Sequence, residues 1–425
     1  MHDIKFIKEN PDLFDKNLKL RNFPPHSKKI LELYQKYLSF LNETQSLQQE
    51  KNTLSKSFSS DLDKNDIKNI KDKVLNIKEK LDKSKQCEEI SKQELDDLLL
   101  SIPNLVDNKT PKGKSELENK TLREKHYKKK NNFKLKDHVE ISEGFDFLDY
   151  EKAIKLSGSR FSVIKSDLAL LSRALMNFML DVNTNNFGYK ECIVPELVKS
   201  NCLVGTGQLP KFGDDLFKTY FNDLWLIPTA EVPLTNFHRE EVINADLLPL
   251  RYTSFTNCFR AEAGAAGKDT KGLMREHQFG KVELVSITEP NSSPKELERM
   301  IECVETILKM IKIPYRLVEL CSGDLGFSSS YTIDFEVWMP GQNKFREVSS
   351  CSNCKDFQSR RMKMRSKKKD TGEVFFPHTL NGSSLAIGRI LIGILENFQE
   401  KDGSISIPEC LRKYMNDKKI INKNE

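Results

Sequence analysis

The N-terminal quarter of the chain carries a repeating hydrophobic pattern. From residue 30 onward, positions at alternating steps of three and four are nonpolar with two exceptions, a spacing typical of the a and d positions of a coiled coil. These positions are Ile30, Leu33, Tyr37, Phe40, Thr44, Leu47, Lys51, Leu54 and Phe58. After a polar stretch at 59–66, the same spacing returns at Ile67, Ile70, Val74, Ile77 and Leu81. The pattern predicts two long helices that fold back on each other to bury both stripes.

The remainder of the chain has a different pattern. Residues 1–26 form a short helical lead-in that ends at Pro24 and Pro25, and Pro103 ends the second long helix. Beyond residue 146, short β-branched or aromatic runs alternate with amphipathic helical segments, and Gly, Pro and Asn turns separate them. This alternation is typical of an α+β domain in which helices flank a mixed or mostly antiparallel sheet.

These patterns divide the chain into four predicted regions. Residues 1–103 form an N-terminal domain whose long hairpin arm covers about 27–102. Residues 104–145 are polar and lysine-rich, and we expect them to form a connection. Residues 146–415 form the α+β domain, and 416–425 form a polar tail.

Composition narrows the class of protein. The chain has 425 residues, 31% of them charged, and it contains no apolar run of the roughly 18 residues that a membrane span requires. Its first residues mix acidic and basic side chains, unlike a secretory signal. The nine cysteines are scattered and odd in number, which favours free thiols in a reducing compartment over a disulfide framework. We therefore expect a cytoplasmic protein without a membrane segment.

Positive charge is concentrated in three stretches. Between residues 64 and 85, eight lysines accompany four acids, and two further basic runs cover 125–136 and 360–369. The net charge of +6 permits nucleic-acid binding without requiring it, and any one such run is most often a solvated surface. The lysine excess on the second predicted helix nevertheless makes the hairpin a candidate for contact with a phosphate backbone.

Three blocks in the second half of the chain carry the candidate chemistry. The first is a helix from Leu168 followed by an expected strand at 192–195. The second joins Cys258-Phe259-Arg260-Ala261-Glu262, through a glycine-bearing loop, to Arg275-Glu276-His277-Gln278-Phe279. The third, at 380–389, is expected to be a strand that runs into a helix, with Arg389 at the end of the strand. Their order and content resemble motifs 1, 2 and 3 of the class II aminoacyl-tRNA synthetases.

Other stretches indicate one branch of that class. The segments 101–104, 155–161 and 205–210 resemble seryl-tRNA synthetases of the bacterial type, and the resemblance runs from the lead-in to about Met415. It implies an enzyme that activates L-serine with ATP and Mg²⁺ and transfers it to tRNA(Ser) and, where one is present, to tRNA(Sec). It also implies a homodimer formed through the motif 1 region and a tRNA-binding role for the arm.

The same resemblance assigns ten residues to ATP. The planar fork of an arginine pairs bidentately with phosphate oxygens, which a lysine cannot do. Arg260 is expected to hold the α-phosphate and the attacking carboxylate, and Arg275 and Arg389 the γ-phosphate end. Phe279 is expected to stack on adenine, with Arg389 covering the other face. The full set is Arg260, Ala261, Glu262, Arg275, Phe279, Glu347, Val348, Ser349, Ser350 and Arg389.

Within this set, Arg260, Glu347 and Arg389 are the expected catalytic residues. The Glu347 carboxylate and the Ser350 hydroxyl are hard oxygen ligands of the kind that Mg²⁺ prefers, so they are the expected metal ligands. Cys351 and Cys354 form a C-x-x-C pair, but a zinc ribbon needs a second pair at suitable spacing, which the sequence lacks. We therefore expect free thiols and no zinc.

The serine pocket is expected to contain buried carboxylates. A carboxylate can accept hydrogen bonds from both the ammonium and the hydroxyl of serine. Alanine lacks the hydroxyl, so it would leave polar groups of the pocket unpaired and be rejected by roughly 10⁴-fold. Threonine would be excluded by its bulk. The residues that the resemblance assigns to serine are Thr229, Ala230, Glu231, Glu283, Asn381 and Ser383.

Two other functions stay open at this point. A non-enzymatic RNA-binding or scaffold protein would explain the hairpin and the lysines, but it predicts decay of the motifs, whereas Arg260, Glu347 and Arg389 are present. A class II enzyme adapted to another amino acid or carrier would be expected to lose the arm or to alter Thr229, Glu231 and Glu283, and neither has happened.

Overall fold

The computed structural model describes residues 1–56, 64–127, 133–145, 147–264 and 272–422. By its internal contacts the chain divides into two compact units, Met1–Pro103 and Asn104–Glu425. Within the described ranges, no helix is both long and apolar enough to cross a membrane. The two units have different architectures, the first helical and the second built on a β-sheet.

In its described residues the first unit contains four helices, which are α1 (Ile4–Glu9), α2 (Pro11–Leu20), α3 (Ser27–Lys56) and α4 (Lys64–Ser101). At about 1.5 Å per residue, the 30 residues of α3 extend about 45 Å and the 38 residues of α4 about 57 Å. The two long helices of the predicted hairpin are therefore present. Phe58 and most of the predicted turn at 59–66 lie outside the described residues.

The two hydrophobic stripes meet between α3 and α4. Ile77, Leu81 and Leu95 of α4 are buried. One layer of the seam is polar, because the hydroxyl oxygens of Thr44 and Ser84 lie 3.0 Å apart at positions where two nonpolar side chains would otherwise pack. A single polar layer of this kind fixes which residues of the two helices face each other.

The lead-in helices close the base of the hairpin. Phe14 and Leu18 of α2 are fully buried, as is Ile30 of α3. Asp15 of α2 accepts a hydrogen bond from the backbone N–H of Ser27, the first residue of α3, at 3.0 Å. The lead-in and the hairpin therefore share one core, and removing α3 would expose the nonpolar face of α2.

An eight-stranded sheet forms the centre of the second unit. The strands of this unit are β1 (Lys120–Lys125), β2 (Lys190–Glu191), β3 (Leu197–Lys199), β4 (Leu224–Leu226), β5 (Val242–Asn244), β6 (Leu250–Phe259), β7 (Gln278–Thr288), β8 (Tyr315–Glu319), β9 (Tyr331–Met339), β10 (Lys344–Lys355), β11 (Arg365–Lys367), β12 (Val374–Phe375), β13 (His378–Ala386), β14 (Ile405–Ser406) and β15 (Ile420–Ile421). The large sheet has the order β1-β8-β9-β10-β13-β7-β6-β2. Its neighbouring strands are antiparallel except for β2 and β6, which are parallel.

Helices cover one face of this sheet. In the part of this unit that the structure describes, the helices are α5 (His138–Phe145), α6 (Tyr150–Ser157), α7 (Ser166–Asp181), α8 (Ser200–Thr206), α9 (Glu231–Thr235), α10 (Ser293–Ile311), α11 (Phe357–Met362) and α12 (Ile387–Asn397). Nonpolar residues of α7, α10 and α12 join Val282 and Leu284 of β7 in one buried core. Because successive residues of a strand point to opposite faces, Lys281 and Glu283 lie on the other face of β7.

Three segments differ from the sequence-based expectation. Residues 104–145, expected to be a connection, contain α5 and the edge strand β1. The expected tail at 416–425 contains β15, in which Ile421 is buried. The motif 1 strand expected at 192–195 ends earlier, at Glu191. All six side chains of β1 are exposed, so this strand lacks the alternation of buried and exposed positions by which a strand is predicted.

Candidate active site

The face of the sheet that carries Lys281 and Glu283 borders a cavity of about 540 Å³. Strands β7, β10 and β13, together with the segment that follows β6, supply much of its wall. The cavity brings together nine residues that the sequence analysis selected, namely Thr229, Glu231, Arg260, Glu262, Glu283, Glu347, Ser350, Asn381 and Ser383. Most of the residues predicted to bind serine therefore border one space.

A narrower space adjoins this cavity. The two spaces share Arg260, Glu262, Lys281, Glu347 and Ser383 in their walls. Four of the residues predicted to bind ATP border the narrower space and not the larger one, and these are Arg275, Phe279, Val348 and Arg389. The two adjoining spaces therefore form one site, in which the predicted serine residues border the larger space and the predicted ATP residues extend from it into the narrower one.

Glu283 belongs to a buried hydrogen-bond network. The residue is 2% exposed, and its Oε2 accepts a hydrogen bond from the Thr229 hydroxyl at 2.9 Å. The Lys281 ammonium lies 2.5 Å from the same oxygen and donates to Thr229 Oγ1 at 3.0 Å. These contacts offset the cost of burying a carboxylate away from water.

Glu231 is a second carboxylate in the wall of the cavity. Its Oε1 accepts hydrogen bonds from the side-chain amides of Gln358 at 2.7 Å and Asn381 at 3.0 Å. Loss of solvation, followed by the negative charge of Glu283, raises the pKa of Glu231 to about 7. A cation that enters the cavity near neutral pH would favour the ionised form of Glu231.

Arg260 stacks on the aromatic ring that the sequence analysis assigns to adenine. Its guanidinium carbon lies 5.2 Å from the centroid of the Phe279 ring, and its Nε donates to the Pro228 carbonyl oxygen at 3.4 Å. In the structure the Arg389 guanidinium contacts Glu347. Stacking of adenine between Phe279 and Arg389 therefore stays a prediction about the ATP-bound state.

The two arginines expected at the γ-phosphate pair with glutamates. Arg275 Nη1 lies 2.5 Å from Glu262 Oε2. Arg389 lies in the first turn of α12 rather than at the end of the strand, and its Nη1 donates to the Glu347 carbonyl oxygen at 2.9 Å and lies 3.4 Å from Glu347 Oε2. Carboxylates and phosphates compete for the same guanidinium edge. A polyphosphate in this space would therefore have to exchange with these contacts.

A β-bulge places Glu347 and Ser350 in the same cavity wall. Residues three apart on a regular strand point to opposite faces. The pairing of β10 with β9 shifts register between Glu347 and Ser349, so one extra residue is inserted and both side chains border the cavity. Ser350 hydrogen-bonds to Asp334, and burial followed by the charge of Glu347 raises the pKa of Asp334 well above its usual value.

Four of the selected residues contribute packing or backbone contacts. Ala230 belongs to a buried nonpolar cluster, and Val348 is 1% exposed. The Ser349 hydroxyl donates to the Ser383 carbonyl oxygen at 2.5 Å. The Ala261 backbone N–H donates to the carbonyl oxygen of Asp215 at 2.9 Å. These contacts hold the wall of the site in place.

Two family models match this chain. The model of the seryl-tRNA synthetase N-terminal domain matches residues 1–106, and that of the class II core domain of the synthetases for G, H, P, S and T matches residues 217–398. The serine–tRNA ligase of Ehrlichia canis is 48% identical, over 99% of this chain and 100% of its own length. The chain belongs to the seryl-tRNA synthetase family. The family predicted from the motifs is therefore confirmed.

Other seryl-tRNA synthetases extend the comparison. The serine–tRNA ligase of Paramagnetospirillum magneticum is 47% identical over 99% of this chain and 100% of its own length. A crystal structure of seryl-tRNA synthetase from Pyrococcus horikoshii complexed with ATP has a TM-score of 0.89 and 34% identity, with all of both chains covered. The predicted fold class, a helical hairpin followed by a class II catalytic domain on a mostly antiparallel sheet, is confirmed.

Lys281 and Gln358 are among the polar residues at this seryl-tRNA synthetase site that the sequence motifs do not mark. Lys281 lies midway between Phe279 and Glu283 on one strand, so two-residue alternation would have placed it on the same face. Gln358 reaches Glu231 from α11. A short helix in the chain between two motifs gives no local signal of this role.

The two cysteines of the C-x-x-C pair lie inside the seryl-tRNA synthetase catalytic unit. Cys351 and Cys354 are buried free thiols of β10. Burial raises the pKa of both thiols well above the usual value, which makes them poor nucleophiles and metal ligands. Asn381, which holds Glu231, also has its amide nitrogen 3.5 Å from Cys354 Sγ. Cys354 therefore packs behind the predicted serine pocket.

Proposed function

We propose that this chain is a serine–tRNA ligase, which forms seryl-adenylate and pyrophosphate from L-serine and ATP and then transfers the seryl group to tRNA(Ser). One observation carries the proposal. Two carboxylates suited to serine, Glu231 and Glu283, and two arginines suited to phosphate, Arg260 and Arg389, border adjoining spaces. A serine carboxylate held in the first space can therefore meet an α-phosphate in the second.

Glu231 and Glu283 are proposed to recognise serine together. The substrate ammonium pairs with Glu231, whose pKa of about 7 falls when a cation binds beside it. Glu283 already holds Thr229 and Lys281 through Oε2, and a carboxylate has further acceptor sites on Oε1 for the substrate hydroxyl. An amino acid without that hydroxyl leaves this acceptor unpaired, which is the basis for rejecting alanine.

The arginines are proposed to position the phosphates. Arg260 borders both spaces, so it can hold the serine carboxylate and the α-phosphate at once. The attack forms a bond between a carboxylate oxygen and the α-phosphorus and breaks the bond to pyrophosphate, so no side-chain nucleophile is needed. Arg275 and Arg389 would exchange their glutamate partners for the departing pyrophosphate.

Glu347 and Ser350 are proposed to hold Mg²⁺. Both border the larger cavity, and Asp334 beside Ser350 has a buried Oδ1 without a hydrogen-bond partner among the described residues. An oxygen-only set with few protein ligands fits Mg²⁺, which keeps waters and phosphate oxygens in its coordination shell. When bound, Mg²⁺ neutralises charge on the triphosphate.

The hairpin arm is proposed to contact tRNA(Ser). Between residues 68 and 85, seven lysines of α4 are exposed, and these are Lys68, Lys71, Lys73, Lys78, Lys80, Lys83 and Lys85. Lysines placed along a rod can neutralise successive phosphates of a nucleic-acid backbone. Because tRNA(Sec) offers the same backbone chemistry, it is proposed as a second substrate where it is present.

Assembly and location are also proposals. The motif 1 region exposes nonpolar side chains, with Ile193 98% and Leu197 43% exposed, which favours a homodimer through this region. The nine cysteines are free thiols, which suits the reducing cytoplasm.

Aminoacylation by the purified chain tests the proposed function. With ATP and Mg²⁺ we expect serine to be attached to tRNA(Ser), with AMP and pyrophosphate as the other products. A tRNA(Sec) transcript assayed in parallel decides whether that tRNA is a second substrate, and an alanine tRNA serves as the negative control. Attachment of a different amino acid would favour an enzyme adapted to another carrier. Binding of RNA without consumption of ATP would favour the scaffold function.

A further inference from the structure

The Lys281 ammonium lies inside the site, between the residues assigned to adenine and to serine. On β7 it follows Phe279 by two residues and precedes Glu283 by two, so the three side chains share one face. Lys281 is 7% exposed and borders both spaces of the site. Lysines are almost never buried unless they are paired, so its partners indicate what it does.

The side-chain contacts of Lys281 are with the serine pocket. Its Nζ lies 2.5 Å from Glu283 Oε2 and 3.0 Å from Thr229 Oγ1, and the Thr229 hydroxyl donates to the same Oε2 at 2.9 Å. The three groups close a triangle, which restricts the rotamers of Thr229 and Glu283. Both donors use Oε2, which leaves Oε1 of Glu283 as an acceptor for a ligand.

Lys281 also balances the charge of the pocket. The negative charge of Glu283 raises the pKa of Glu231, whereas the positive charges of Lys281 and Arg260 lower it. The titratable and polar groups that face Glu231 are Lys281 and Glu283 of β7, Arg260 after β6, Cys354 of β10, Gln358 of α11 and Asn381 of β13. Without the Lys281 charge, Arg260 would be the one cation among these groups to balance the carboxylates of Glu231 and Glu283.

We propose that Lys281 is a positioning residue for serine specificity, which holds Thr229 and Glu283 in the geometry that accepts the substrate and supplies a positive charge beside the carboxylates of Glu231 and Glu283. It acts through these groups rather than on the reacting atoms. The inference rests on the proposed activation of serine.

Two substitutions separate the charge of Lys281 from its bulk. Lys281→Met keeps an unbranched chain of similar length without the charge, and Lys281→Arg keeps the charge. Serine-dependent exchange of pyrophosphate into ATP is measured against serine, against ATP and across pH 5.5 to 9. As a matched control, Lys418→Met breaks an ion pair of 2.8 Å with Asp167 outside the site and should change none of these quantities.

For Lys281→Met we expect the KM for serine to rise roughly 10- to 100-fold, the scale of one lost charge-assisted hydrogen bond, with the KM for ATP within about twofold of normal. The acidic limb of kcat/KM for serine should move to higher pH, because Glu231 must be ionised to bind the ammonium and its pKa rises when the neighbouring cation is lost. Lys281→Arg should restore that limb towards its normal position.

Several results would overturn the inference. An unchanged acidic limb, or a loss of kcat and ATP affinity at a normal KM for serine, would assign Lys281 to packing or to the phosphates. If melting curves show that Lys281→Met does not fold, Lys281→Gln replaces it with the same expected limb shift. Lack of serine-dependent exchange by the unaltered chain would instead refute the proposed function, so the two failures are distinguishable.

Discussion

The arm and the catalytic unit depend on their amino-acid sequences in different ways: the arm on a repeated pattern, the catalytic unit on individual residues. In the hairpin of α3 and α4, each layer resembles the next, and a polar layer such as Thr44 with Ser84 is tolerated within the seam. In the catalytic unit, the site takes single residues from separate strands, and Glu283 has its own partners in Thr229 and Lys281. A repeating seam can lose a layer and remain a hairpin, whereas a site built from unique contacts changes its chemistry when one contact is lost.

The largest effect is expected when the N-terminal unit is removed from the catalytic unit. A cut after Pro103 keeps the backbone hydrogen bond of 2.9 Å from Asn104 to Phe327, whereas excising only 27–102 would uncover Phe14 and Leu18. The fragment 104–425 should retain serine-dependent pyrophosphate exchange and should lose tRNA charging by on the order of 10³-fold or more, the scale of several lost phosphate contacts. Near-normal charging by this fragment, with the full chain assayed beside it, would show that the arm is not the tRNA-binding element.

The next effect concerns a single arginine of the catalytic unit. Arg389→Ala should slow serine-dependent pyrophosphate exchange by roughly 10²- to 10³-fold, the scale of one lost preorganised charge-stabilising group. Arg389→Lys should rescue little, because an ammonium can neither pair bidentately nor stack. Transfer of serine from supplied seryl-adenylate to tRNA should be far less affected, since the triphosphate is already gone.

A matched control for this arginine lies on the same sheet. Arg316 of β8 pairs with Glu336 at 2.5 Å outside both spaces of the site, and Arg316→Ala should leave exchange unchanged. Equal losses of exchange and of transfer in Arg389→Ala would contradict the assignment of Arg389 to the triphosphate. That result would indicate a general role in the fold or in adenosine binding.

A smaller effect is expected at the serine end of the site. Glu283→Gln should raise the KM for serine by roughly 10- to 100-fold and reduce discrimination against alanine, because a neutral amide loses the charge-assisted contact with the substrate. The KM for ATP should change little. Glu319→Gln, on β8, serves as the control, since Glu319 accepts from the Tyr331 hydroxyl at 2.6 Å outside the site. Normal serine kinetics in Glu283→Gln would remove this carboxylate from the pocket.

The smallest effect tests the tolerance of the arm. Replacing Thr44 and Ser84 together by leucine converts the polar layer into a nonpolar one and should stabilise the hairpin by about 1 kcal/mol, the scale of burying an additional methylene or two. Thermal unfolding of the full chain measures this change, and pyrophosphate exchange should be unaffected. A loss of stability would show that the layer has no room for leucine and that the seam is less tolerant than its repeat suggests.

The sequence predicts the arm and the motifs well because both depend on local signals. The hairpin is predicted from the spacing of residues such as Ile77 and Leu81, which needs no knowledge of distant contacts. Arg260, Glu283 and Glu347 are selected because motif resemblance marks them one by one. The family and the fold class that follow from these signals are both confirmed.

Features that depend on distant contacts are not predicted. The strand β1 has no buried side chain, so only its pairing with β8 reveals it. Glu347 and Ser350 share a wall only because a bulge shifts the register of β10 against β9. Gln358 supports the predicted serine pocket because α11 brings its amide to within 2.7 Å of Glu231, a contact across 127 residues.

The central claim is that this cavity activates serine. Exchange of pyrophosphate into ATP, measured with each of the twenty amino acids in turn, tests that claim most directly. It reports the adenylation step alone, without requiring the arm or a tRNA. We predict exchange with serine, exchange with alanine lower by roughly 10⁴-fold because Glu283 would be left without the substrate hydroxyl, and no exchange with threonine because of its bulk. Exchange driven as well by another amino acid, or by none, would contradict the claim that this cavity activates serine.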